Sequence, residues 1–94
     1  MIRSFADRNT EAIFHRYRSR YLPPEIHVRA KIKLLLIDTA SSLDDLRVPP
    51  GNRLETLQGR QADQWSIRIN QQWRICFEWK VGDAWNVEIV DYHR

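Results

Sequence analysis

A chain of 94 residues with 43% hydrophobic residues, four tryptophans and three phenylalanines has the apolar volume for one core but not the length for two domains, so residues 1–94 are read as one domain. Cys76 is the single cysteine. It excludes an internal disulfide and a cysteine metal cluster, and it fits a reducing compartment. The net charge of +3 and pI of about 9.4 suit a polyanionic partner without marking a basic tail. No signal-peptide pattern and no bilayer-length apolar run is present, so the expectation is a cytoplasmic protein with no membrane partner.

Ile2, Ser4 and Phe5 are expected to open a short edge strand, after which Asp7, Asn9 or Thr10 caps a helix running through about Arg20. Ile13, Phe14, Tyr17 and Tyr21 recur at helical spacing as its inward face, with Arg16, Arg18 and Arg20 outside. Leu22-Pro23-Pro24 ends this helix, and Pro24 or Glu25 starts a second one that continues to about Ala40, closing a helical hairpin. Its apolar residues span a broad arc, with Ile26, Ala30, Leu34 and Ile37 on one side and Val28, Ile32, Leu35 and Leu36 beside them. That is the pattern of a buried helix. In Ser41 to Asn52, the Pro49-Pro50-Gly51 breaker rules out regular structure, and Leu43 and Leu46 pin the segment to the body as an ordered connector rather than a domain linker.

Leu54 to Leu57 is a short strand candidate, and Gly59 to Asp63 a turn. Trp65 to Asn70 and Trp73 to Lys80 alternate with period two across the short Asn70-Gln71-Gln72 joint, so they are expected to pair antiparallel. Val81-Gly82-Asp83-Ala84 then turns the chain into a last strand, Trp85 to Tyr92. The expected fold is α+β, an N-terminal helical hairpin packed on one face of a twisted antiparallel sheet.

Trp65, Ile67, Ile69, Ile75, Phe77, Val87 and Ile89 are expected to face the helices, and Trp73, Trp79 and Trp85 are read as packing residues. Ser66, Arg68, Asn70, Arg74, Glu78, Asn86, Glu88 and Tyr92 share the other face, which is polar with a positive centre. Residue pattern alone leaves two readings of it. One is a solvated face whose arginines pair with Glu78 and Glu88. The other is a phosphate-binding floor, because a guanidinium fork grips two oxygens at once. Cys76 is read as a buried thiol rather than a nucleophile.

The stretches PPGNRLETLQG, WSIRINQQWRICFEW and VEIVDYH resemble the HigB-type branch of the RelE/ParE toxin superfamily, the toxins of bacterial toxin–antitoxin pairs. The MIRSF opening, the helical hairpin and the LDDLRVPPGNRLE connector follow in the family order, so the likeness spans essentially the whole chain. It implies a RelE-like fold and a ribosome-dependent endoribonuclease that cuts messenger RNA in the decoding site without metal or cofactor. Its implied partners are the 70S ribosome, messenger RNA and a helix-turn-helix antitoxin of the HigA type, with operator DNA touched only through that antitoxin. Carried over residue by residue, the resemblance implies Glu55 as the base for the 2′-hydroxyl, Arg74 as the cation on the pentavalent phosphate and His93 as the acid for the 5′-oxygen. Tyr92 would stack on a base or orient the hydroxyl, Arg53 and Arg68 would grip RNA backbone, and Asp91 would orient its neighbours. On this reading Arg74→Ala keeps the fold and loses toxicity. The chain departs from the family at Gln58, where many relatives carry lysine, and some HigB members lack a glutamate at the position of Glu55. A ParE-like gyrase inhibitor and a non-catalytic ribosome- or RNA-binding module remain as alternatives.

Overall fold

The computed structural model describes residues 1–16, 18–57 and 64–92. Helix α1 spans Arg8–Arg16 and α2 spans His27–Thr39, the latter entered through a 3-10 turn at Pro24–Ile26. Two further 3-10 turns, Leu43–Arg47 and Pro50–Asn52, lead to strands β1 (Glu55–Thr56), β2 (Gln64–Arg68), β3 (Trp73–Lys80) and β4 (Asp83–Asp91). The strands form one antiparallel sheet in the order β1-β2-β3-β4. The expected α+β architecture is therefore present.

Of the three expected caps, Asp7 is the one that forms, its Oδ1 accepting the backbone N–H of Thr10 at 2.7 Å. Helix α1 ends at Arg16, a turn earlier than expected from the spacing. Ser19 supplies a competing set of bonds, donating to Asn9 Oδ1 at 3.1 Å and accepting the N–H of Tyr21 at 3.3 Å. Tyr21, expected inside, is 72% exposed as a result. Tyr17 lies outside the described residues.

Helix α2 is buried on one side only. Ala30, Leu34 and Ile37 meet the core, whereas Val28, Ile32 and Leu35 are exposed, which corrects the expectation of a helix buried on most sides. A helix laid on a sheet and one neighbouring helix covers a stripe rather than its circumference. Lys31 is buried within that contact, donating to the Phe14 carbonyl with its ammonium 4.6 Å from the centre of the Phe14 ring. A cation at the end of α1 suits the negative end of the helix dipole.

The connector is ordered, as expected, but regular structure was not ruled out by its prolines, since Leu43–Arg47 and Pro50–Asn52 form 3-10 turns. Asp45 Oδ2 accepts the N–H groups of Ser41 and Ser42, and Leu46 is buried. Asn52, fully buried, donates to the carbonyls of Leu46 (3.1 Å) and Val48 (3.3 Å) and accepts from Lys33. The short strand expected from Leu54 to Leu57 forms as β1, and Leu57 N–H still reaches the Gln64 carbonyl at 2.9 Å. Gly59 to Asp63 lies outside the described residues.

The β3–β4 turn is tighter than expected, with Val81 (φ 52) and Gly82 (φ 80) as a two-residue loop of the primed type, so that β4 already begins at Asp83. Cys76 pairs with Glu88 and Glu78 with Trp85, so Asn86 and Val87 together face Phe77. This is a β-bulge, and Asn86 carries its left-handed φ of 52. The extra residue reverses the alternation of β4. Trp85, expected to pack, is thereby placed on the face of Glu78 and is 39% exposed, while Val87 and Ile89 stay in the core with Ile67, Ile75 and Phe77. The N-terminal segment makes two isolated parallel bridges, Ile2 to Ala84 and Phe5 to Val87, rather than a continuous strand. These cover the edge of β4.

Candidate functional site

The alternation of β3 puts Arg74 on the sheet face turned away from the core. There it stands opposite Arg68 on one side and Val90 on the other. Like charges directly opposed across a ladder repel, and here they are turned apart. Arg68 Nε donates to the Asn70 carbonyl at 3.0 Å, at the β2–β3 turn. Arg74 instead folds over β2: Nε donates to Ser66 Oγ at 2.9 Å, and Nη2 to the Ser66 carbonyl at 3.3 Å and the Arg53 carbonyl at 2.6 Å. Arg74 is 7% exposed and Ser66 1%.

Arg53 enters by its backbone. It follows the Pro50–Asn52 turn in the left-handed region (φ 46, ψ 59), which costs an L-residue about 1–2 kcal/mol. Its carbonyl is thereby brought onto Arg74, while its side chain is on the exposed surface. Glu55 pairs with Ser66 in the β1–β2 register, which brings its Oε1 to 3.9 Å from Arg74 Nη2 with the side chain 59% exposed. On the far side the Tyr92 ring centre is 5.7 Å from the Arg74 guanidinium carbon, and Tyr92 N–H is tied to the Gln72 carbonyl. A buried guanidinium thus lies between a carboxylate and a phenol.

Three of the expected site residues, Glu55, Arg74 and Tyr92, are brought together. Asp91 is not: it pairs with Trp73, one position out of phase with Arg74, and accepts from Gln72 Nε2 at 3.1 Å. His93 and Gln58 lie outside the described residues. Ser66 was assigned no role from sequence. The signal available was a small hydroxyl on the same face as Arg68, but only the strand register shows that it lies diagonally under Arg74.

Among the described residues, the other carboxylates of this face leave the arginines unpaired. Glu78 accepts from Asn86 Nδ2 at 2.9 Å and lies 3.1 Å from Lys80 Nζ, and the Asn86 bond first, then Lys80, hold its carboxyl below the usual range. Burial, and then the nearby Asp7, push the Glu88 carboxyl up. Among the described residues neither of them pairs with Arg68 or Arg74, as the solvated-face reading required. Cys76, opposite both Ser66 and Glu88, has its thiol pushed up to about 11, chiefly by burial, which keeps it a thiol at neutral pH. The floor is left with a buried cation bonded to neutral oxygens and one loosely held carboxylate beside it. Burying a charge in this way is costly without a partner. An incoming anion supplies one, and a phosphate matches the fork.

The family model described as "RelE-like toxin of type II toxin-antitoxin system HigB" matches residues 3–93. The chain is 42% identical over 77 residues to "Toxin HigB-1" of Vibrio cholerae serotype O1, covering 82% of this chain and 80% of that relative. It is 31% identical over 93 residues to "Endoribonuclease HigB" of Proteus vulgaris, covering 99% of this chain and 100% of that one. No helix among the described residues is long and apolar enough to cross a membrane.

Proposed function

Since the chain belongs to the HigB-type RelE-like toxins of type II toxin–antitoxin systems, we propose that it is a ribosome-dependent endoribonuclease that cleaves messenger RNA in the decoding site. The observation that carries this reading is the buried Arg74 fork set between Glu55 and Tyr92, and the relative named an endoribonuclease, aligned over nearly the whole chain, supports it. Glu55 removes the proton of the 2′-hydroxyl. The 2′-oxygen attacks phosphorus, and Arg74 stabilises the charge that builds on the equatorial oxygens. The bond from phosphorus to the 5′-oxygen breaks, and His93 gives that oxygen its proton. Tyr92 stacks on the base beside the scissile phosphate. The products are a 2′,3′-cyclic phosphate and a 5′-hydroxyl.

Each proton and charge in this sequence is handled by a side chain, so the reaction is proposed to proceed without metal. The type II family implies an antitoxin partner. On our reading it is a helix-turn-helix protein of the HigA type, through which alone operator DNA is contacted, and the toxin works in the cytoplasm where ribosomes are. The test is the chemistry of the cut ends on programmed ribosomes. We expect cyclic phosphate and 5′-hydroxyl termini, unchanged by a chelator and abolished by a 2′-deoxy residue at the cut nucleotide. Cleavage of the 2′-deoxy messenger, or loss of cleavage with chelator, would overturn the mechanism.

A further inference from the structure

Beyond the Arg74 centre, the β2–β3 turn faces α2 across a cleft of about 530 Å³ lined by Arg29, Lys33, Gly51, Arg68 and the Ile69–Gln71 turn. Arg29 and Lys33 are four residues apart on α2 and so share one face, an arrangement of like charges that disfavours the helix. Arg29 Nη1 reaches the Ile69 carbonyl at 3.4 Å, Lys33 bonds Asn52 Oδ1, and Arg68 bonds the Asn70 carbonyl. All of these acceptors are neutral. Among the described residues no carboxylate pairs with any of the three cations. Burial, and then the charge of Arg29, hold the Lys33 amine below its usual range. A solubilising surface would interleave acids here. This cleft gathers three cations around open space instead.

We infer that the cleft is a second phosphate site, which holds an RNA backbone phosphodiester away from the scissile one. The inference rests on the ribonuclease reading above and adds a binding site to it. Arg68 joins the two places, since it stands opposite Arg74 in the ladder while its guanidinium turns toward the cleft. Cross-strand neighbours are only about 5 Å apart at Cα, so a polymer with a phosphate at every nucleotide reaches both without leaving the surface. An acidic protein segment has no such regular spacing of charge to match.

Gly51 allows a test that removes no contact. A Cβ at this position meets nothing within 4 Å and its φ is not left-handed, so Gly51→Glu adds a carboxylate to the cleft wall without repacking. The experiment measures binding to 70S ribosomes carrying a messenger with 2′-deoxy residues in the decoding-site codon, from 50 to 300 mM salt, for wild type, Gly51→Glu, Gly51→Ala and the Arg29→Gln/Lys33→Gln pair. Because log affinity falls with log salt by about 0.7 per single-strand phosphate contact, loss of this one phosphate contact in the paired variant is expected to flatten the slope by about 0.7. Gly51→Glu is expected to weaken binding at least tenfold, with Gly51→Ala at wild-type level. The same series on ribosomes without messenger separates ribosomal RNA from messenger as the source of the phosphate. Slopes and affinities unchanged in both charge variants, with wild type binding this messenger and cutting its all-ribose counterpart, would overturn the second site and leave the nuclease standing. Failure of wild type to bind programmed ribosomes would overturn both. Loss of antitoxin affinity with an unchanged RNA slope would assign the cleft to a protein partner and overturn the inference as well.

Discussion

Ser66→Ala isolates what holds Arg74 in place. The substitution removes one oxygen, the acceptor of the 2.9 Å bond from Arg74 Nε, at a position 1% exposed, and leaves both backbone acceptors of Nη2 intact. A hydrogen bond to a charged group contributes about 1.5–3 kcal/mol, and a buried guanidinium edge left facing a methyl group loses most of that. At the lower half of this range, about 1.5–2 kcal/mol, Tm should fall by roughly 6–15 °C for a domain of this size. The guanidinium, still tethered through Nη2, gains freedom to rotate away from the phosphate. Transition-state stabilisation should then drop by about 1.4 kcal/mol, a tenfold lower cleavage rate with ribosome affinity nearly unchanged. Differential scanning calorimetry and single-turnover cleavage on programmed ribosomes read the two effects separately. A Ser66→Ala protein with wild-type Tm and wild-type rate would refute the idea that this hydroxyl positions Arg74.

Asn52→Ala should cost about 2–4 kcal/mol in denaturant melts, because it leaves the Leu46 and Val48 carbonyls and Lys33 without their buried partner. Val81→Asn should raise Tm by roughly 4–8 °C, since Val81 is fully exposed at φ 52 in a primed turn that asparagine adopts readily. Cys76 sets a pH dependence. Its folded-state value is raised from 9.0 to about 11, so the unfolded chain loses the thiol proton first. Stability from this group is complete below about pH 9 and falls by about 2–3 kcal/mol as pH approaches 11, a loss that should be absent in Cys76→Ala.

The local patterns in the chain carried the fold well where one face of an element is buried. The period-two runs gave β2 and β3 on the right faces, and Arg74 and Tyr92 came out near each other. Failures came where a single residue changes the geometry. Asn86 at a left-handed φ inserts the bulge that turns Trp85 outward, and nothing in the alternation marks it. Ser19 ends α1 early through bonds to Asn9 and Tyr21 that helical periodicity does not anticipate. The hydrophobicity of α2 does not tell how many neighbours the helix has, so Val28, Ile32 and Leu35 were expected to be covered. At the site, the roles of Ser66 and the Arg53 carbonyl arise from strand register and a left-handed turn. They also change one expectation. Arg74→Ala removes three bonds from a buried position and should cost about 2–4 kcal/mol in stability, so lost toxicity in that variant would not isolate catalysis.

Arg74→Lys keeps the charge while losing the fork, and His93→Gln removes the proposed acid, so both suit the decisive measurement better. That measurement is mapping of messenger 5′ ends after wild type, Arg74→Lys and His93→Gln, each confirmed folded by calorimetry, meet stalled ribosomes of known codon position. The account predicts a single cut within the decoding-site codon by wild type, slowed at least a hundredfold in both variants, with ribosome binding retained. Intact messenger on ribosomes that hold the wild-type toxin would contradict it, as would equal cutting by all three proteins.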